Sequence, residues 1–276
     1  MKQIGCFLLI CLLGISASCK QNATDQKEET SEKPTVNSNI KGDWVRVGFN
    51  GPIRLHFEAN DVAKIDFGND QTDEVSSSYR IHNDTIIFTD RDGKTCPHPG
   101  KYLISRNEYY MAFNLIRDDC GGRIKKIMAF WVRPNYKDQL EQLNDKIAGS
   151  GAPADHLNRA RMFMALSKPK EAKSDFDYYI EHAEPNARVY VNRASTKFPG
   201  DMKGVISDCD KAINLDSSYK NAYFLKGLAL YQLGKKEEAC LVFNKAIELG
   251  FSILREAERQ RCEEYWKKQI TQKTEM

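Results

Sequence analysis

Two stretches near the C-terminus superimpose at a spacing of 34 residues. Asp208-Cys209-Asp210-Lys211-Ala212-Ile213-Asn214-Leu215 stands over Val242-Phe243-Asn244-Lys245-Ala246-Ile247-Glu248-Leu249. A period of this length predicts stacked helical hairpins, each too small to bury its apolar face without a neighbour. The best copy runs from Asn221 to Ala246, with Tyr223, Gly227 and Leu230 on one helical side. Gly227 and Ala239 are expected where the two helices cross, because larger side chains would push the axes apart. Gly234 is expected to end the first helix and Lys235 to begin the turn. A middle copy at 187–219 keeps Tyr190, Ala194, Val205, Cys209 and Ala212, and is one residue short around Phe198-Pro199-Gly200. A first copy at 153–186 keeps Ala160, Phe163, Ala172, Phe176 and Tyr179, and is interrupted at Glu184-Pro185. Leu254 to Lys268, with Leu254, Ala257, Arg261 and Tyr265 three to four apart, suits the polar-faced cap that such an array needs.

These copies resemble tetratricopeptide repeats. The resemblance implies an all-α solenoid of three repeats that binds an extended peptide or partner helix in a groove lined by the first helices. The family's groove positions fall on Leu157, Arg161 and Met164 in the first copy, and on Arg188, Val191, Ser195 and Phe198 in the second. In the third they fall on Asn221, Phe224, Leu228 and Tyr231. Some members hold a terminal carboxylate with a Lys/Asn clamp; Leu157, Val191, Phe224 and Leu228 stand in the way of that here. An apolar groove flanked by Arg161 and Arg188 implies an amphipathic or mildly acidic segment. The competing expectation is that these side chains pack on the rest of the chain or on each other.

Before the array the period drops to two. Ile53, Leu55 and Phe57 face one side while Arg54 and His56 face the other. Further short runs cover Trp44 to Phe49, Val62 to Phe67, Ser78 to His82, Thr85 to Thr89, Lys101 to Ser105, Tyr109 to Leu115 and Lys125 to Val132. Turn formers separate them, as at Asn50-Gly51-Pro52 and His82-Asn83-Asp84. About eight strands without a helical period predict a small antiparallel β-barrel over 42–133, which leaves no edge to cover. Cys96 and Cys120 have no competing partner in this segment, and pairing them closes a loop whose entropy stabilises by about 3.5 kcal/mol.

The stretch is similar to lipocalin-like barrels of exported bacterial proteins, through Gly42-Asp43-Trp44, Gly100-Lys101-Tyr102 after Cys96, and Asp118-Asp119-Cys120-Gly121-Gly122-Arg123. That likeness implies that Trp44 closes one end of the barrel beside an arginine, either Arg123 or Arg133. It also raises an alternative function, carriage of a small apolar ligand in the barrel. That fails if Ile53, Leu55, Phe57, Ile87 and Phe113 fill the interior.

Met1, Lys2 and Gln3 followed by an apolar run from Ile4 to Ile15 and Ser16-Ala17-Ser18-Cys19 have the three-part layout of a secretory signal. The run is too short to remain as a membrane-spanning helix. Ordinary signal peptidase would leave Cys19 as an exposed thiol. The segment also resembles a bacterial lipoprotein signal of the looser Bacteroidota type, which implies acylation of Cys19 and a stable anchor. Residues 20–41 are charged and nearly devoid of apolar side chains, so they read as a tether reaching about 25 Å from the lipid.

The expected organisation is therefore signal peptide 1–18, tether 19–41, barrel 42–133, connector 134–152, repeats and cap 153–268, and tail 269–276. Tyr136 to Ile147 is expected to form a short helix before the break at Gly149-Ser150-Gly151-Ala152-Pro153. Lys plus Arg is 41 against 38 for Asp plus Glu, and 40 against 38 without the first 18 residues. That near-balance argues against a duplex-binding surface. Cys96-Pro97-His98 has no second ligand cluster at useful spacing, and Asp66, Asp70, Asp73 and Glu74 read as a solvated acidic turn. His56 and His82 lack a nearby nucleophile and read as surface histidines. Cys209 reads as a buried thiol; Cys240 either does the same or bridges to Cys262. No metal, cofactor or catalytic centre is expected. The predicted function is a non-enzymatic, lipid-anchored scaffold or accessory subunit in the cell envelope, at the outer membrane, whose partner is another envelope protein or peptide segment.

Overall fold

Alternation within 42–117 produces seven strands in meander order: β1 Gly42–Gly48, β2 Gly51–Phe57, β3 Val62–Phe67, β4 Val75–His82, β5 Thr85–Asp90, β6 Gly100–Arg106 and β7 Met111–Arg117. A helix, α1 (Gly121–Ile127), precedes a two-residue strand, β8 (Phe130–Trp131). These elements belong to a computed structural model that describes residues 40–48, 51–68, 75–91, 96–251, 259–260, 262–263 and 265–267. Cys19 and the rest of residues 1–39, the loop carboxylates Asp70, Asp73 and Glu74, and the tail 269–276 lie outside them. So do Leu254, Ala257 and Arg261 of the expected cap.

Each strand pairs antiparallel with the next, and Val45 and Val132 exchange backbone hydrogen bonds of 2.7 and 2.9 Å to join β1 to the β8 end. The sheet is thereby nearly closed, and its two margins satisfy each other's backbone groups. Inward positions carry Leu55, Phe57, Tyr79, Ile86, Phe88, Tyr102, Ile104, Met111, Phe113 and Leu115, all in one buried cluster with Trp44 and Trp131. Aromatic edges meet faces at 5.0 Å (Phe57–Tyr79) and 5.9 Å (Phe88–Tyr102 and Phe88–Phe113).

Three expectations for this half change. The eighth run, Lys125 to Val132, begins as α1, because Ile124 and Ile127 lie one helical turn apart and both enter the core. Ile86 and Phe88, not Ile87, point inward. Asp66 is fully buried rather than solvated, and Arg54 donates to it at 3.1 and 3.2 Å. The arginine beside Trp44 is Arg133, with its guanidinium 3.9 Å from the ring centroid and donating to the carbonyls of Lys41 and Asp43. Arg123 is buried elsewhere, against Asp118 and Asp90, beside the Cys96–Cys120 disulfide.

The connector is α2 (Tyr136–Ser150), three residues longer than expected, and it stops at Gly151 in the left-handed conformation (φ 61°). Six helices in three hairpins follow: α3 Pro153–Ala165 and α4 Pro169–His182, α5 Ala187–Lys197 and α6 Met202–Leu215, α7 Lys220–Gln232 and α8 Lys236–Glu248. Pro153 opens α3, where its missing N–H costs nothing. Asn186 and Asp201 cap α5 and α6 through the N–H groups of Val189 and Gly204. A cation recurs on each first helix: Arg159 pairs with Asp175, Arg193 with Asp208, and Lys226 with Asp210. Residues 259–260, 262–263 and 265–267 are helical, and Tyr265 and Trp266 pack on the last hairpin. A disulfide joins Cys240 to Cys262 there.

Barrel and array form one compact unit. Tyr109, Tyr110, Ala112 and Val132 from the barrel share a buried cluster with Leu143 of α2 and with Met162, Ala165 and Leu166 at α3.

Cys209 is the one free thiol among the described residues, and burial together with Asp208 and Asp210 pushes its pKa up to about 12. Its unfolded value is 9.0, so the stability it contributes is present below about pH 9 and is lost as pH rises towards 12. Iodoacetamide at pH 8 followed by peptide mapping is expected to leave Cys209 unmodified in the folded chain and to modify it in guanidinium. Modification at equal rates in both would contradict this environment.

Candidate partner-binding site

The groove positions of the repeats lie on α3, α5 and α7, and the barrel reaches them first. The β6–β7 turn is pinned by Asn107, whose side-chain oxygen accepts from the N–H groups of Tyr109 and Tyr110 at 2.9 and 3.1 Å. From there the Asn107 amide donates to Asn158 at 2.9 Å, and Arg161 donates to the Tyr110 hydroxyl at 2.6 Å. The Arg161 guanidinium also lies 4.8 Å from the Tyr110 ring centroid. Arg188 donates to the Ser105 hydroxyl at 2.7 Å, and the Lys220 ammonium approaches the Ile116 carbonyl at 3.5 Å. Burial lowers the Lys220 pKa. One end of the groove is thus occupied by the chain's own β-turn.

This placement corrects part of the predicted site. Leu157 is buried among Ala160, Ala172, Phe176 and Val189, so it serves the repeat core. Arg161 is buried against the barrel, and Val191 is buried with Ala187, Ala194 and Val205. Met164 is half-buried on the Leu157 cluster. The remaining positions stay half-exposed. Ser195 donates back to the Val191 carbonyl at 2.9 Å, and Phe198 covers the second hairpin's core. Phe224 stacks on Phe251 at 4.4 Å, while Leu228 and Tyr231 lie on the cluster of Leu230, Phe243 and Cys262. Asn221 and Asn192 each hold a buried polar atom without a hydrogen-bond partner. Ser195, Phe198, Leu228 and Tyr231 are thus the expected positions that keep part of their surface exposed.

Asn158, Asn192 and Lys220 were not among the expected groove residues. Their signal was available: Asn158 precedes Arg161 by three, Asn192 follows Arg188 by four and Lys220 precedes Phe224 by four, spacings that share a helical face.

Chemistry-bearing groups elsewhere are few. Among the described residues no group of three or more His, Cys, Asp or Glu could hold a metal ion. His98 pairs with Asp119 at 2.7 Å, but the neighbouring Cys96 and Cys120 are bonded to each other. His56 is likewise paired, with Asp43 at 2.7 Å. The barrel interior, where an apolar ligand would sit, is filled by the aromatic and aliphatic cluster described above.

Residues 221–249 match the tetratricopeptide repeat family. That match is the third hairpin, α7 and α8. No curated protein matches the chain. Among solved structures, MamA is 18% identical and aligns over 58% of this chain and 98% of its own, with a TM-score of 0.42. The first tetratricopeptide domain of Spaghetti (RPAP3), bound to an HSP90 peptide, is 26% identical over 42% of this chain and 94% of its own, with a TM-score of 0.38. YrrB, described as a tetratricopeptide protein with an unusual peptide-binding site, is 15% identical over 47% of this chain and 65% of its own, with a TM-score of 0.40.

Proposed function

We propose that this chain is a non-enzymatic interaction scaffold, anchored in the bacterial envelope through an acylated Cys19, that holds a segment of another envelope protein. The observation that supports this reading is the half-exposed row on α5 and α7. Ser195 of α5, Phe198 at its C-terminal end, and Leu228 and Tyr231 of α7 would line the trough that takes the segment. A partner segment is apolar on one side, to cover these three side chains. Arg188 and Lys220 at the closed end favour a mildly acidic terminus in that segment. Arg161, buried by Tyr110, is excluded from contact. The signal layout of residues 1–18 supports export and outer-membrane attachment, with residues 20–41 as the spacer.

Phe198→Ala with Leu228→Ala is expected to weaken capture of the native partner from detergent extracts by about tenfold or more, as for truncation of interface anchors. The same partner retained at unchanged yield would refute groove binding. Intact-mass analysis of the purified chain is expected to give a mature N-terminus at Cys19 carrying acyl chains. An unacylated chain would remove the anchor from the proposal.

A further inference from the structure

The outer face of β4–β7 carries an unusual row. Arg80 is paired with Ile87, Ile87 with Lys101, and Lys101 with Arg117. Cross-strand partners project from the same face, so these four side chains stand side by side across four strands. The register shifts between Lys101 and Tyr102 and leaves Ile116 unpaired on β7, the geometry of a bulge. Leu103 stands in the adjoining row, and Leu103 and Ile116 are 37% and 41% exposed.

Two observations say that this row is not there for the fold. Lys101 directly opposite Arg117 is a like-charge cross-strand pair, which destabilises a sheet. Among the described residues, no carboxylate or hydrogen bond relieves Arg80, Lys101 or Arg117. All three are exposed, with apolar side chains set between them. We infer that this face docks an acidic peptide segment carrying aliphatic residues, with carboxylates over Arg80, Lys101 and Arg117 and aliphatic side chains over Ile87, Leu103 and Ile116. A peptide suits the place better than a bilayer. The contacts of Arg188 with Ser105 and of Lys220 with Ile116 bring α5 and α7 against the β6–β7 margin, so the face is walled on one side. A narrow chain enters such a corner and a flat membrane does not. This surface is separate from the trough between α5 and α7 and stands or falls independently of it.

The test uses the full chain and a fluorescent glutamate peptide with leucine at every third position, followed by anisotropy at low and physiological salt. Joint substitution Arg80→Glu, Lys101→Glu and Arg117→Glu is expected to weaken binding by about tenfold or more. Leu103→Ser with Ile116→Ser is expected to weaken it by about threefold or more. A control with the same charge change elsewhere, Lys170→Glu, Lys203→Glu and Lys236→Glu, is expected to stay within about twofold, as is the trough variant Leu228→Ala. Thermal melts identify any variant that has unfolded, and the milder Lys101→Gln, expected to bind more weakly in proportion, serves in its place. Equal loss in the charge control would reduce the effect to net charge and overturn the proposal. So would no loss on removing the two aliphatic side chains. Binding to phosphatidylglycerol–phosphatidylethanolamine vesicles that needs the same row and is not displaced by the peptide would assign the face to a membrane instead.

Discussion

Asp118→Ala is expected to lower the unfolding free energy by about 3–5 kcal/mol, the largest loss for a polar side chain in this barrel. Asp118 is 2% exposed and accepts hydrogen bonds from three described residues. Arg123 donates from Nε and Nη2 at 2.7 Å each, the Cys120 N–H donates at 2.8 Å, and the Tyr102 hydroxyl donates to the same carboxylate. Burial by itself would lower the Arg123 pKa, but its bonds to Asp118 and the charges of Asp118 and Asp90 outweigh burial and raise it. Removing the carboxylate therefore leaves a buried guanidinium with Asp90, at 3.2 Å, as its one remaining counter-charge among the described residues. Burial, and then bonding to Asp118, raises the Tyr102 pKa above its ordinary 10.0. The stability this phenol contributes is present below about pH 10 and is lost as pH rises. Urea unfolding with the disulfide intact measures the effect. A loss under about 1 kcal/mol would mean that the cluster is not the closed, desolvated unit described. Gly100 offers an independent check, since a Cβ there would collide with the Asp118 carboxylate.

Phe243→Ala is the second large effect, about 3–5 kcal/mol, because a fully buried ring leaves a cavity that backbone-rigid helices refill poorly. The ring lies across Gly227, where an added Cβ would come within 2.5 Å of it. Gly227→Ala alone is thus expected to cost about 1–3 kcal/mol by overpacking. In the Phe243→Ala background the same methyl enters the vacated space, and its cost is expected to vanish or reverse. The coupling energy of that double-mutant cycle is the quantity to measure; strict additivity would refute the contact. Ala239 is the expected crossing partner of Gly227; both residues are buried, and the side chain that demands a glycine is Phe243, one turn further along α8.

Much of the architecture was legible because its causes are local. The helical period inside each 34-residue copy and the glycine after α7 act over a turn or two of chain, and the helices follow them closely; the caps at Asn186 and Asp201 emerged only with the structure. Alternation in β2 likewise separated Leu55 and Phe57, which enter the core, from Arg54 and His56. It failed at Ile87, in a run of consecutive apolar residues where parity has no anchor. It failed again at Lys125 to Val132, where Ile124 and Ile127 answered to the core of the barrel rather than to a strand period.

Sequence alone determined most element types and the order of barrel before array, since periodicity and turn chemistry are properties of neighbouring residues. Only the tertiary structure decided which first-helix side chains remain open. Arg161 and Asn158 are taken up by Tyr110 and Asn107, each 51 positions away, and Arg188 by Ser105, 83 positions away. No local pattern encodes those meetings. They arise because Met162, Leu143, Tyr109 and Val132 bury one shared apolar surface, and the polar groups around it then satisfy each other.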